Sequence, residues 1–267
     1  MTKAINKYLQ NNRKPFEKSV FDPRKRVLAE NQDKKFVSGD TVPYYQTFEG
    51  AKESYSADYG AKKIISAARN NFPMDIDISW LPAAAATYDI SPDINDYVLC
   101  DVAAVTIDIP NRNLQAFPYE EVTYFDHAYG KMVYQTFVGK PSCADHKNEV
   151  DQNSDYAKGV IFAATMQYVP TFDVWKVRLL QGFDRGKDTR LANAILNGKR
   201  KYFSMGALVS NFIDPISGQI ENTANPPYPK GSIYMGNLVF SLCLGCCYIE
   251  NSSVHEPADP FADGVVL

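Results

Sequence analysis

The chain has 267 residues, enough for one sizeable domain with an appendage or for two small domains, and its 45% hydrophobic content can fill a core. These values exclude a disordered tail protein, and a net charge of −3 offers no broad basic field for nucleic acid. The five cysteines have no regular spacing, and the polar N-terminus has no signal-peptide pattern. Both observations predict a reducing, intracellular setting. The longest apolar run, 235–249, is too short and too interrupted to span a membrane, so we expect a soluble protein.

The N-terminal part of the chain is predicted to be an extension, residues 1–95, that precedes the main domain. Residues 1–45 are rich in Lys, Arg, Asn and Gln and predict a mobile basic arm. The segment ADYGAKKIISAARNNF (57–72) has a helical pattern, whereas SWLPAAAATYDISPDIND (79–96), with its prolines, is interpreted as an irregular connection.

The main domain is predicted to cover residues 96–267 and to be rich in strands. An aromatic content of 13% favours extended structure. One amphipathic helix is predicted at TRLANAILNG (189–198), ended by Gly198. The predicted strands are YVLCDVAAVTIDIP (97–110), KMVYQTFVG (131–139), KGVIFAATMQYVP (158–170), DVWKVRLLQGF (173–183), KYFSMGALVSNFI (201–213) and SIYMGNLVFSLCLGCCYIE (232–250). Many strands and few helices indicate a β-barrel or sandwich with helical flanks, in the α+β class.

Two residues are candidates for nucleophilic catalysis, His146 in GKPSCADHKN and Ser204 in KYFSMGALV. A serine hydroxyl that acts near neutral pH usually needs an imidazole to accept its proton, and the chain has only three histidines. His146 lies in a polar loop between predicted strands, where scaffolds commonly expose catalytic groups. Gly206, two positions after Ser204, permits close approach of a tetrahedral intermediate. Taken alone, however, Ser204 fits an ordinary strand serine, and His146 fits a solvated or structural histidine.

The other reactive residues favour no metal or cofactor. Cys243, Cys246 and Cys247 could form half of a thiolate metal site, but their apolar surroundings and the lack of a second ligand pair favour buried thiols in a core strand. His127 and His255 are isolated and are interpreted as surface or supporting groups. The chain has no Walker loop, dinucleotide fingerprint or HExxH helix. We therefore expect no cofactor.

Read in order, several segments resemble the capsid maturation (prohead) proteases of large tailed bacteriophages, which share a serine protease clan with the herpesvirus assemblins. The likeness covers about residues 95–262. It is carried by NRNLQAFPYEEV, YQTFVGKPSCADHKN, AKGVIFAA, FDRGKDTRLANAILNGKRKYFSMGALV and YIENSSVHEPADPFA. The family fold that this resemblance implies is a mostly antiparallel β-barrel flanked by helices, as in the herpesvirus proteases.

The resemblance also implies the catalytic residues. The family's base falls on His146 and its nucleophile on Ser204. The third catalytic residue, an acid, is carried over to Glu250, with Asp184 and Asp145 as the alternatives. The implied reaction is peptide hydrolysis, in which the base takes the serine proton, the acid orients the imidazole, and water clears the acyl-enzyme.

The groups that would stabilise the oxyanion stay open at this point. The candidates are the Met205 amide and a nearby arginine, Arg178 or Arg185. A second open alternative is a thiol hydrolase with Cys143 as nucleophile, although two neighbours in one loop rarely align for proton transfer.

The partners implied by the resemblance are the phage scaffold and major capsid proteins, cleaved after Glu inside the prohead in the host cytoplasm. Self-association into a dimer or ring is expected, without nucleic acid or membrane. Leu28-Ala29-Glu30 and Ala51-Lys52-Glu53 fit the family's cleavage form, so the arm is predicted to be a segment that the enzyme itself removes. The alternative is a non-catalytic prohead core or scaffold protein that retains the protease fold.

Overall fold

The structure is a computed structural model that describes residues 76–146, 156–221 and 228–266. The basic arm, the helix predicted at 57–72 and both candidate self-cleavage motifs lie outside the described residues. None of the helices within the described ranges is long and apolar enough to cross a membrane.

The described residues form short helices and a larger set of strands. The α-helices are α1 (Leu81–Tyr88), α2 (Tyr119–Val122) and α3 (Thr189–Leu196), and two 3-10 turns cover Ile94–Asp96 and Val133–Phe137. The strands are β1 (Tyr97–Thr106), β2 (Gln115–Ala116), β3 (Phe125–Asp126), β4 (Lys131–Met132), β5 (Pro141–Ala144), β6 (Gly159–Val169), β7 (Val174–Asp184), β8 (Tyr202–Ile213), β9 (Ile233–Tyr234), β10 (Asn237–Leu238), β11 (Ser241–Val254) and β12 (Gly264–Val266).

Eight of these strands form one curled, half-barrel sheet. Its order is β12-β1-β7-β6-β5-β11-β2, with β8 paired to β11. The sheet is mixed, because β5 and β2 run parallel to β11, whereas its other described pairs are antiparallel. The molecule is therefore a sheet-dominated α+β protein with few helices, which agrees with the predicted class at that level.

The single strand predicted at 232–250 is divided into β9 and β10, which form a separate two-stranded sheet, and the long β11. Two further segments differ in kind from the sequence prediction. The strand predicted at 131–139 is instead the two-residue β4 followed by a 3-10 turn, in which the Gln135 side chain accepts a hydrogen bond from the Met132 amide at 3.0 Å. Its β-branched and aromatic residues resemble a strand in composition, but Val133 and Phe137 both point into the core. The irregular connection predicted at 79–96 contains α1, because a proline in the first turn is compatible with a helix and the alanines that follow favour one.

The helix predicted at 189–198 is confirmed as α3. Its Asp188 cap accepts a hydrogen bond from the Leu191 amide at 2.9 Å, and Leu191, Ala192 and Ile195 are buried. Gly198 follows at φ +68°, a left-handed conformation that glycine adopts at little cost.

The apolar core lies on both faces of the sheet. The larger cluster contains Val102, Leu179 and Tyr248, with Phe137 stacked on Tyr248 at a ring distance of 4.1 Å. The second cluster forms where α1 and the residues around it cover β1 and β6, and it includes Trp80, Leu81, Tyr97 and Phe162. Residues 76–95, assigned to the extension, thus pack against the sheet. The boundary after residue 95 stays a prediction.

Candidate active site

Ser204 lies on β8, opposite Ser252 of β11 in the antiparallel register. Its side chain faces a groove of about 890 Å³, although only 6% of the residue is exposed. The groove runs beside the β8 residues 204–209, and its far wall is formed by the end of β1, residues 109–117 and residues 256–259. Because Ser204 lies in a paired strand, its backbone is held in a fixed position beside the groove.

A one-residue bulge in β11 decides where Glu250 points. Tyr248 pairs with Ala207, but Glu250 pairs with Gly206, so Ile249 is an extra residue in the ladder. Without the bulge, Glu250 would face Met205, whose side chain packs against the main core. Because a shift of one residue exchanges the two faces of a strand, the bulge moves the carboxylate to the face that carries Ser204.

His146 comes to the same place from β5. This strand runs parallel to β11, with Ala144 beside Ser253, and the Asp145 amide donates to the Ser253 carbonyl at 3.0 Å. Asp145 and His146 then adopt left-handed backbone angles, with φ of 56° and 45°. This sharp turn brings His146 Nδ1 to 2.8 Å from Glu250 Oε1.

The Glu250 carboxylate is buried and held at both oxygens. Oε1 contacts the imidazole of His146, and Oε2 accepts a 2.6 Å hydrogen bond from the Ser252 hydroxyl. Only 2% of Glu250 is exposed. Burial lowers the pKa of His146, but its hydrogen bond to Glu250 and the negative charges of Glu250 and Asp145 outweigh that effect, so the pKa is raised above its ordinary value.

This arrangement leaves one imidazole nitrogen available for proton transfer. In the neutral ring, Nδ1 carries the hydrogen that it donates to the carboxylate, so Nε2 has the free lone pair. His146 and Ser204 line the same groove. The carboxylate-bound imidazole and the Ser204 hydroxyl therefore border one groove, and these are the residue types that nucleophilic catalysis by serine requires.

The two alternatives for the third member have other partners. Asp184 accepts from the backbone amides of Ser91 and Gly186, each at 2.7 Å. Asp145 pairs with the guanidinium of Arg200. Among the three carboxylates considered from the sequence, Glu250 is the one bound to His146.

The two arginines suggested for the oxyanion lie outside the groove. Arg178 pairs with the buried carboxylate of Asp101 at 2.7 Å, and Arg185 donates to the Asn95 carbonyl at 2.7 Å. Met205 does line the groove, so its amide is the candidate that the structure leaves in place.

The cysteines are buried. Cys143 is 7% exposed, and burial together with the charge of Glu250 raises the pKa of its thiol well above the ordinary value, which leaves little thiolate. Cys243 and Cys246 belong to the main core, and Cys247 packs with Leu208 and Ile249. No cluster of three or more possible metal ligands occurs within 76–146, 156–221 and 228–266.

Sequence reasoning missed two contributors to the site, Ser252 and Arg200. Ser252 could have been found, because residues two apart in a strand share a face and its hydroxyl therefore accompanies Glu250. Arg200 gave no such signal, because it lies in a short basic run, KRK, that is typical of a solvated linker.

Comparisons with known proteins give no relative for this chain. Scans of protein-family models, of curated proteins and of solved structures each found no match.

Proposed function

We propose that this protein is a serine endopeptidase with Ser204 as nucleophile, His146 as general base and Glu250 as the acid that orients the base. The observation that carries the proposal is the 2.8 Å contact between His146 Nδ1 and the buried Glu250 carboxylate, at the groove that Ser204 also lines. Buried carboxylates and left-handed backbone angles at residues other than glycine each cost free energy, and such features cluster at active sites.

The proposed reaction follows from the orientation of the imidazole. His146 Nε2 takes the Ser204 proton as the hydroxyl oxygen attacks the scissile carbonyl, and the proton then passes to the leaving amine. Glu250 holds the ring in the tautomer with hydrogen on Nδ1 and stabilises the imidazolium. Water attacks the acyl-enzyme with the same base, which restores the serine. The Met205 amide is our candidate for oxyanion stabilisation.

The groove suits an extended peptide. Between Ser204 and Asn211, β8 has no second strand partner in the described part of the chain, so its outer edge can pair with a substrate backbone. Peptide hydrolysis is the reaction class that such an edge, placed beside a nucleophile, supports.

The more specific proposal rests on the resemblance of the sequence motifs to the prohead proteases. On that basis we propose the scaffold and major capsid proteins of a tailed phage as substrates, cleavage after Glu, self-processing of the arm, self-association, and action inside the prohead. The herpesvirus protease-like barrel is proposed on the same basis and is compatible with the curled sheet.

A direct test combines covalent labelling with cleavage mapping. Purified wild type and Ser204→Ala are treated with a fluorophosphonate, and separately with the phage's scaffold and capsid proteins, and the cut sites are mapped by mass spectrometry. We expect labelling on Ser204, and cuts that Ser204→Ala abolishes. A wild type that binds the head proteins but neither labels nor cuts them would favour the non-catalytic scaffold alternative.

The same preparation separates the serine from the thiol mechanism. Because Cys143 is buried and its thiol pKa is raised, iodoacetamide should leave cleavage unchanged. Inactivation by the alkylator with persistence of activity in Ser204→Ala would reverse the assignment of the nucleophile.

A further inference from the structure

Arg200, between α3 and β8, forms an unusually complete set of hydrogen bonds. Its Nε donates to the Ser253 hydroxyl at 3.1 Å, and its Nη2 donates to the Ser253 carbonyl at 2.7 Å and to the Asp145 carboxylate. Its Nη1 lies 3.1 Å from His255 Nε2, which must accept, since a guanidinium only donates. Only 13% of the side chain is exposed. The long cationic side chain of Arg200 is therefore held by contacts with three residues, Ser253, Asp145 and His255.

The contact with Asp145 bears on the candidate base, because Asp145 directly precedes His146. Both residues have left-handed backbone angles, which cost free energy for residues other than glycine and persist where surrounding contacts enforce them. The Asp145 amide and Arg200 Nη2 share the Ser253 carbonyl as acceptor. Arg200 thus ties the Asp145 side chain to the same point of β11 that holds its backbone.

We propose that Arg200 is a positioning residue, which fixes the Asp145-His146 turn against β11 and so aims the His146 imidazole at Glu250. Arg200 acts through Asp145, because it lies outside the groove that His146 and Ser204 line and instead borders a smaller cavity with Asp145 on the other side of the turn. The catalytic consequence rests on the proposed function, whereas the effect on the His146 ring does not.

A lysine should not replace Arg200. The planar guanidinium group of Arg200 contacts a carbonyl, a hydroxyl, a carboxylate and an imidazole, whereas the ammonium group of lysine is a single donor point on a flexible side chain. Lysine can keep one of these contacts, with Asp145 or with the Ser253 carbonyl. Arg200→Lys should therefore lie between the wild type and Arg200→Met.

The experiment compares Arg200→Met and Arg200→Lys with Arg190→Met, a matched control on α3 that borders the same small cavity. Two quantities are measured. The first is the ¹⁵N chemical shifts of the His146 ring, assigned with His146→Asn, which report the hydrogen bond from Nδ1 to Glu250. The second is the rate constant for labelling of Ser204 by a fluorophosphonate, which needs no identified substrate.

In Arg200→Met we expect the His146 ring signals to lose the signature of the Glu250 hydrogen bond, and the labelling rate to fall about 10- to 100-fold, the scale of a misplacement near 1 Å. Arg190→Met should match the wild type in both. In the double variant Arg200→Met with Asp145→Asn, the labelling rate should fall no further than in the worse of the two single variants, because both substitutions remove the same Arg200–Asp145 contact.

The proposal is overturned if Arg200→Met keeps the wild-type ring signals, whatever happens to the labelling rate, or if the two substitutions are additive. If Arg200→Met does not fold, Arg200→Lys and Asp145→Asn, which each remove part of the contact, give the same two readings. A wild type that shows the His146-Glu250 hydrogen bond but never labels at Ser204 contradicts the proposed function, while the ring signals still decide the role of Arg200.

Discussion

Gly206 and Glu250 face each other across the β8-β11 pair, and a Cβ on Gly206 would lie 2.5 Å from Glu250 Oε1. The Glu250 carboxylate thus occupies the space that a side chain at position 206 would fill. From the sequence, Gly206 was interpreted as leaving room for a tetrahedral intermediate, but the structure gives that room to the group that holds His146.

Gly206→Ala should therefore displace the Glu250 carboxylate and break its contact with His146. We expect the rate of peptide cleavage, or of Ser204 labelling, to fall by about 10²-fold, the scale of a lost alignment. The variant should still fold, since the three atoms nearest to the new methyl group all belong to the Glu250 side chain, which can shift.

The matched control for that substitution is Gly186→Ala. Its Cβ would meet only the Asp184 carboxylate, at 3.3 Å, in a turn that is not part of the groove. This variant should keep wild-type activity. Equal losses in both variants would show that the Gly206 effect is not specific to the site.

Glu250→Gln tests the acid directly and has a defined pH signature. Glu250 raises the pKa of His146, whereas burial lowers it. With the charge gone, burial dominates and the pKa of His146 falls. Because the base must be neutral to accept a proton, the acid limb of the pH-rate profile should move to lower pH, while the plateau rate falls about 10²- to 10⁴-fold.

The measurement is the labelling or cleavage rate between about pH 5 and pH 9, with Glu120→Gln, outside the groove, as the control. An acid limb that stays in place or moves to higher pH in Glu250→Gln would contradict the assigned pairing of His146 and Glu250.

Ser252→Ala removes the donor to the second oxygen of Glu250. Ser252 is fully buried, so the loss leaves that oxygen without this hydrogen bond, and we expect a cost of about 1–3 kcal/mol in the free energy of unfolding. The carboxylate can then rotate away from His146, and the rate should fall by roughly tenfold, about 1.4 kcal/mol in the barrier.

Ser210→Ala is the comparison for Ser252→Ala. Its hydroxyl also donates across β8 and β11, to the Gly245 carbonyl at 3.2 Å, but it lies outside the groove lining. Urea unfolding should show a cost for both variants, whereas only Ser252→Ala should lose activity. A fully active Ser252→Ala would remove Ser252 from the site.

Much of the sheet could be predicted from sequence because its long strands are apolar and bounded by turn residues, as β6 and β7 show. The failures lie where composition and conformation disagree. Val133–Phe137 has strand-like residues, but a side-chain contact from Gln135 stabilises a 3-10 turn. The first turn of α1 contains Pro82, a residue that is equally typical of a loop.

Within the site, the sequence could supply residue types but not their geometry. The extra residue Ile249 turns Glu250 toward His146, and nothing in CCYIENSS marks a bulge. The parallel pairing of β5 with β11, which brings His146 to Glu250, joins segments about a hundred residues apart and cannot be read from local pattern. Spacing alone left Ser204 and His146 undecided and did not single out Glu250, which was predicted only through the proposed resemblance to the prohead proteases.

The raised pKa of His146 also predicts how stability depends on pH. Since the folded protein holds the His146 proton more tightly than the unfolded chain does, protonation stabilises the fold. This contribution is complete below the unfolded value, about pH 6.5, and is lost as the pH rises through the higher folded value. The free energy of unfolding of wild type minus that of His146→Asn should therefore be larger at about pH 5.5 than at about pH 8.5.

Asparagine suits the test because it is neutral and tolerates the left-handed angle at this position. Urea unfolding at the two pH values provides the measurement, and His127→Asn corrects for the loss of an exposed imidazole elsewhere. A difference that is constant, or larger at the higher pH, would mean that Glu250 does not stabilise the imidazolium, and that part of the proposed role of Glu250 would fail with it.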